Sequence, residues 1–247
     1  MTATFHSPDP LAAGVTVTLG ESVAHHARVR RMEVGERVRL TDGAGTLATG
    51  RIVRIAKQLV AVETEDVEMR EPPPAVHLLV PVADRERMLW LAEKCTELGA
   101  TSWRPVAWRR SRSVTPRGEG TVFRQKVHAR MVAALEQSSG AWLPTLFPEA
   151  TPENAIAAAP GGMRLLLDAE GDPALRAHFT APVTLAIGPE GGLEPEEREA
   201  LVAAAFRPVS IGTNTLRFET AATAALAIAR AALHLAPHRP VQEESDG

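Results

Sequence analysis

The sequence predicts an α/β protein, a mostly parallel sheet covered by helices on both faces, with a small β-barrel module at its front. Three observations carry that reading: short β-rich runs crowd residues 14–68, a proline block breaks regular structure at Glu71-Pro72-Pro73-Pro74, and strands alternate with helices from there on. A chain of 247 residues, 45% hydrophobic and 23% charged, has the size and composition of a globular protein that buries a full core.

The front module is read from VTVTL, ERVRLT, the turn DGAG, TLATGRIVRI and QLVAVET. One helix is expected among them, over residues 21–32. An acid and a serine open it, Val23 and Ala27 share one face, and Arg28 and Arg31 lie three residues apart on another. So many short strands in so little chain predict a barrel of the kind RNA-binding modules use. Each proline of the block lacks an N–H and restricts the residue before it, which places a boundary there. Residues 1–71 then form the barrel domain, 75–235 the α/β domain and 236–247 a flexible tail.

In the second domain AVHLLVPV is a continuous apolar run, as in a strand buried on both faces. Residues 85–98 set Met88, Leu91, Ala92, Cys95 and Leu98 on one helical face, with Gly99 at the C-terminal cap. A short strand at 103–107, a basic loop and a long helix through about Ser138 follow. Strands MRLLLD, PVTLAIG and PVSIG come next, each with a helix after it. The last of these helices, from Glu219 on, is alanine-rich enough for another helix to approach closely. Cys95, the lone cysteine, has no partner for a disulfide and reads as core packing.

Charge is uneven. Residues 101–130 hold eight Lys/Arg against Glu119 alone, a local +7 in a chain of net −3, so the remainder carries −10. That asymmetry is the sequence form of a phosphate-contacting surface, and a solvated basic loop shares it. No run is long and apolar enough to cross a bilayer and the start lacks a signal-peptide pattern, so the chain is read as cytoplasmic, with no membrane partner. His25 and His26 point in different directions on a helix and no other cluster is spaced to join them, so no metal is expected.

Open α/β sheets bind ligands beyond the carboxyl ends of their strands, which directs attention to two late loops. PVTLAI runs into Gly188-Pro189-Glu190-Gly191-Gly192, where glycines let backbone approach a ligand closely. PVSI runs into Gly212-Thr213-Asn214-Thr215-Leu216-Arg217-Phe218-Glu219. A Rossmann fingerprint belongs early in its domain, where this chain has PVADRER, and no P-loop motif occurs. On the residues alone, a non-catalytic RNA-binding protein and another α/β nucleotide-binding enzyme both remain open.

The segments HHARVRRMEVGERVRLTDG, AEKCTELGATSWRPVAWRRS, RQKVHARMVAALEQS, IGPEGGLEPEE and IGTNTLRFETA, in this order, resemble the SPOUT-class methyltransferase family that makes N3-methyluridine in 16S ribosomal RNA. The resemblance spans nearly the whole chain. It implies a PUA-like N-terminal barrel, a SPOUT-type α/β domain with a deep trefoil knot, S-adenosylmethionine as cofactor, the 16S rRNA of the small ribosomal subunit as partner, and a homodimer. Two places depart from the family pattern: Ser139-Gly140-Ala141-Trp142 stands where basic residues are usual, and Asn214 and Phe218 stand where arginine and threonine are common.

With the resemblance, the cofactor-binding residues are Leu167, Ile187, Gly188, Glu190, Gly191, Gly192, Ile211, Gly212, Thr215 and Leu216. Methylation at uracil N3 requires its proton to leave and the charge on the ring oxygens to be stabilised. Arg217, read as the only cation of its loop, is assigned to that task, with Glu219 beside it as the second catalytic residue. Arg28, Arg31, Arg109, Arg110 and Arg112 are expected to grip RNA. Trp108, interleaved with the arginines, is expected to be an exposed stacking face, whereas Trp103 divides between core and RNA contact.

Overall fold

The structure, a computed structural model, describes residues 2–113 and 116–235, apart from the side chains of Arg112, Ser113, Leu175 and Leu235. The tail expected at 236–247 lies outside the described residues.

The front module holds β1 (Thr4–His6), β2 (Thr16–Leu19), α1 (Glu21–Val29), β3 (Arg37–Thr41), β4 (Thr46–Ile55) and β5 (Val60–Met69). Its sheet runs β1-β3-β4-β5-β2, antiparallel except where β1 lies parallel to β3. Val38, Leu40, Ile52, Val60 and Val62 point inward against Ala24 and Ala27 of α1. Burial alternates along β2 and β3, as the period of a half-buried strand demands. β1 escaped the sequence reading because three residues carry no periodicity. The helix expected over 21–32 stops at Val29, and Arg31 turns into the left-handed region at φ 54°. Arg28 and Arg31 therefore do not share one helical face, and Arg28 donates to the Lys57 carbonyl.

The second domain runs β6 (Val76–Pro81), α2 (Arg85–Glu97), β7 (Ser102–Val106), a 3-10 turn (Arg109–Ser113), α3 (Gly120–Ser138), β8 (Thr145–Leu146), α4 (Pro152–Ala157), β9 (Met163–Pro173), a 3-10 turn (Ala174–Arg176), β10 (Val183–Ala186), α5 (Pro195–Ala203), β11 (Arg207–Ser210) and α6 (Phe218–Leu235). The six strands are all parallel, in the order β11-β9-β10-β6-β7-β8. The helix expected after MRLLLD is only the 3-10 turn, and β8 and α4 were not expected. Side chains alternate between two cores: Val76, Leu78, Leu165 and Leu185 meet α2, α3 and α6, while Leu79, Leu166 and Ala186 meet α4 and α5. A sheet packed on both faces needs such uniformly apolar strands, and all four residues of β10 are buried.

β10 is inserted between β6 and β9, both laid down earlier in the chain. This out-of-order placement brings the carboxyl ends of β9, β10 and β11 together. The two domains meet at the departing segment 139–142. The Gly45 N–H donates to the Ala141 carbonyl at 2.8 Å, and the Leu143 N–H to the Gly43 carbonyl at 2.8 Å. Nearby, the His6 N–H donates to Glu136 Oε1 at 2.8 Å. Gly45 has φ 104°, and a Cβ there would lie 2.4 Å from the Trp142 indole. Ser139, Ala141 and Trp142, in the segment that departs from the family pattern, thus form the seam between the front module and the second domain.

Candidate active site

A cavity of about 380 Å³ opens at the carboxyl ends of β9, β10 and β11. Its first wall comes from a break in the β9–β11 ladder. Pro208 pairs with Leu166 but Val209 with Asp172, so residues 167–171 leave the regular register, and Leu167, Asp168, Ala169 and Glu170 line the cavity. Gly171 permits it, since a Cβ there would lie 2.4 Å from the Val209 nitrogen.

The second wall follows β10. Gly192 takes φ 73° and its N–H closes on the Pro189 carbonyl at 2.8 Å, a turn that β-carbon sterics disfavour for other residues. LEPEE then starts α5 with a capping box between Glu194 and Glu197 and a proline in the first turn. The third wall follows β11, from Ile211 and Gly212 to Leu216, and Phe218 and Ala221 of α6 close the cavity.

Leu167, Ile187, Gly188, Glu190, Gly192, Ile211, Gly212, Thr215 and Leu216 all line it. Gly191 does not. A Cβ at Gly191 would sit 3.3 Å from Arg110 Cδ, and its carbonyl accepts from the Arg110 guanidinium at 2.5 Å. Its missing side chain makes room for an arginine, so a bulky residue there presses on Arg110 rather than filling the cavity.

Trp108 is the clearest correction. It is fully buried, among Leu79, Val106, Leu166 and Ala186, so it offers no face to a base. Its Nε1 donates to the Ile187 carbonyl at 3.0 Å, a residue of the cavity wall. The next residues reinforce that link: the Arg109 N–H donates to Glu197 Oε1 at 2.8 Å, its guanidinium pairs with Glu196 at 3.3 Å, and Arg110 holds Glu194 at 3.0 Å. The Glu194 carboxyl is held below its usual range by the Arg110 hydrogen bond. Part of the basic run is therefore tied to the outside of the second wall, with guanidinium groups still exposed to solvent. Arg28 and Arg31 lie on the barrel and do not line the cavity. The Arg112 side chain lies outside the described residues.

Arg217 stands between Leu216 and Phe218 of the wall, and its carbonyl accepts the Ala221 N–H at 2.9 Å as α6 begins. Its side chain is exposed and makes no ion pair or hydrogen bond among the described residues. It is not the only cation nearby. Arg198 lines the cavity and holds Asp168 at 2.8 Å. Arg87, from the first turn of α2, pairs with Glu190 and reaches Glu219 at 3.9 Å. Glu219 is buried, and its Oε2 has no hydrogen-bond partner among the described residues.

Burial pushes the Asp168 carboxyl up, but the Glu170 N–H and Arg198 outweigh it and hold the group below its usual range. Asp168, Glu170 and Glu190 against Arg198 give the lining a negative balance, while Leu166, Leu167, Ile187, Ile211 and Leu216 give it apolar walls. Such a site suits a ligand with a flat apolar part and a positive centre. Asp168, Arg198 and Arg87 were missed in the sequence. The strand-end position of Asp168 in MRLLLD was the available signal for the first. Among the described residues no group of three or more His, Cys, Asp or Glu could hold a metal ion, and no helix is long and apolar enough to cross a membrane.

Residues 70–230 match the RNA methyltransferase domain family, and residues 19–65 the RNA methyltransferase PUA domain family. The chain is 30% identical over 221 residues to the ribosomal RNA small subunit methyltransferase E of Synechocystis sp., covering 86% of this chain and 72% of that protein. The Mycobacterium bovis protein of the same name is 29% identical, with 88% and 86% covered. A methyltransferase from Legionella pneumophila, solved with its cofactor S-adenosylmethionine bound, superposes with TM-score 0.85 at 27% identity, over 94% of this chain and 98% of that one. The small subunit methyltransferase E of Neisseria gonorrhoeae, also bound to S-adenosylmethionine, gives TM-score 0.83 at 26% identity, over 92% and 96%.

Proposed function

We infer that this chain, which belongs to the RNA methyltransferase family, uses S-adenosylmethionine to methylate N3 of a uridine in the 16S RNA of the small ribosomal subunit. The observation that carries this is the three-walled cavity at the ends of β9, β10 and β11, in a fold whose relatives hold that donor. The lining fits it. Apolar side chains and glycine turns accept an adenosine, and Asp168, Glu170 and Glu190 suit the positive charge of a sulfonium.

When bound, the donor supplies an electrophilic methyl group. The protein supplies the rest. Loops 187–192 and 211–216 hold the nucleoside part through backbone, and Arg87 keeps Glu190 and Glu219 in place at the rim. The uracil must be unpaired, because N3 lies on its pairing edge. As the N3 proton leaves, negative charge spreads to the ring oxygens, and the exposed guanidinium of Arg217 is the group we assign to meet it. Glu219, anchored by Arg87, fixes the start of α6 and so the place from which Arg217 reaches.

Arg109, Arg110 and Arg112, with Arg28 and Arg31 on the barrel, are assigned to RNA phosphates, and we assign the protein to the cytoplasm, a reading that work on ribosomal RNA supports. Mass mapping of 16S RNA from cells lacking the protein should show one uridine without its N3 methyl, restored by the purified enzyme and donor. An unchanged methylation map would remove this assignment.

We also assign a homodimer, on the family resemblance and on the small side chains along α6, which allow close helix packing. Light scattering at low micromolar concentration should report twice the 26.4 kDa chain mass. A monomer that methylates RNA would defeat this.

A further inference from the structure

The strand-end cavity keeps its charges in two places. Glu190, on the loop after β10, is taken up by Arg87, which reaches it from α2 and is not part of the lining. The other three, Asp168, Glu170 and Arg198, gather where the out-of-register segment of β9 meets the start of α5. Arg198 is the one cation among the described residues that line the cavity. The corner it shares with the two acids therefore carries both signs of charge, beside the apolar walls made by Leu167, Ile187 and Ile211.

Both partners of the pair are fixed by the backbone around them. Asp168 Oδ1 accepts the Glu170 N–H at 3.0 Å, and its Oδ2 accepts from Arg198 Nε at 2.8 Å. Arg198 lies just inside the capping box of α5, its own N–H donating to the Glu194 carbonyl at 3.0 Å. The Asp168 hydrogen bond, and more weakly the Glu170 charge, hold its guanidinium more firmly protonated than usual. A guanidinium carries five N–H donors, and the pair uses the one on Nε. The two terminal nitrogens make no hydrogen bond among the described residues, and the side chain is 44% exposed, which leaves the fork open to a ligand. A carboxylate fits that fork in two parallel hydrogen bonds, and an ammonium fits the acids beside it. The corner thus matches an α-amino acid, which brings both groups on one carbon. A nucleic-acid phosphate fits less well, since it brings only negative charge to a place that holds Asp168 and Glu170.

We propose that Asp168 and Arg198 are the specificity-determining residues for the amino-acid end of the methyl donor, with the terminal nitrogens of Arg198 holding the α-carboxylate of S-adenosylmethionine and Asp168, beside Glu170, facing its α-ammonium. The proposal rests on the donor-binding reading given above. It divides the acids of the cavity by task, since Asp168 answers the ammonium while Glu190 stays with Arg87 at the rim.

The test measures binding by calorimetry, on the full-length protein, with three ligands. S-adenosylmethionine carries the amino acid and the sulfonium, S-adenosylhomocysteine keeps the amino acid without the sulfonium charge, and 5′-methylthioadenosine lacks both. Arg198→Gln should weaken the first two about tenfold and leave methylthioadenosine within about twofold of the parent. Asp168→Asn keeps the shape and an acceptor for the Glu170 N–H, and should give the same pattern. A loss confined to S-adenosylmethionine would overturn the ammonium assignment and give Asp168 to the sulfonium. Equal losses for all three ligands would make the pair a brace of the wall, and unchanged S-adenosylhomocysteine affinity in folded variants would put the amino acid elsewhere. Lost RNA affinity with donor affinity kept would give Arg198 to a phosphate. Each of these overturns the subsite. Melting curves identify a variant that fails to fold, and if Arg198→Gln is one, Arg198→Lys decides, because it keeps a charge for Asp168 but not the fork, and should weaken the same two ligands severalfold. A parent protein that binds none of the three ligands would overturn the donor reading instead.

Discussion

Arg217→Ala is expected to bind S-adenosylmethionine nearly as the parent does and to lose on the order of a hundredfold in turnover, the scale that follows removal of one oxyanion donor. The side chain adjoins the cavity without being part of its wall, so the donor loses little when it goes. Its backbone carbonyl, which starts α6 by accepting the Ala221 N–H, is untouched by the substitution. The ion pair that would have made Arg217 structural is formed by another residue, since Glu219 faces Arg87. Interactions made only as charge develops on the uracil oxygens appear in kcat rather than in donor affinity. Lysine at the position should recover part of the rate, because an ammonium brings charge without the planar fork of a guanidinium. Single-turnover kinetics with calorimetry separates the two quantities. A variant with preserved single-turnover rate and lost donor binding would make Arg217 a binding residue.

The lining of the strand-end cavity was largely legible in the sequence because its signals are local. A strand that ends in Gly188 or Gly212 announces a loop where backbone can meet a ligand, and the carboxyl-end rule says where such loops gather. What stayed hidden depends on contacts across the chain. Arg87 belongs to the site because β10 enters beside β6 and brings Glu190 within reach of α2, and nothing in DRER foretells that neighbour. Gly191 and Gly192 look alike in the sequence. Only the fold shows that one takes the left-handed turn while the other leaves room for Arg110. The basic run read as free positive charge, yet acids of the α5 N-terminus meet Arg109 and Arg110 from more than eighty residues away. A tryptophan amid arginines gives the same sequence pattern whether its indole faces solvent or core, and for Trp108 the choice fell to Ile187, whose carbonyl needed a donor.

That hydrogen bond makes Trp108→Phe the second substitution with a large expected effect. The phenyl ring keeps most of the packing against Leu79, Leu166 and Ala186, while the Ile187 carbonyl loses the indole N–H at 3.0 Å. A buried carbonyl without its donor costs about 1–3 kcal/mol. Much of that cost should fall on the second wall, because the Ile187 N–H is already committed to the Leu79 carbonyl at 2.9 Å and the indole anchors the opposite side of the same residue. Donor affinity is therefore expected to fall about tenfold, corresponding to roughly 1.4 kcal/mol. Turnover at saturating donor should stay near the parent value, since Arg217 adjoins the third wall and Trp108 supports the second. RNA affinity should fall as well, because Arg109 and Arg110 follow Trp108 directly and are set against Glu196 and Glu194 through the same segment. Calorimetry with donor alone, then with RNA alone, distinguishes this from simple destabilisation, which lowers the melting temperature without shifting either affinity. Unchanged donor affinity in a folded Trp108→Phe protein would mean that packing, not the indole N–H, holds the Ile187 wall.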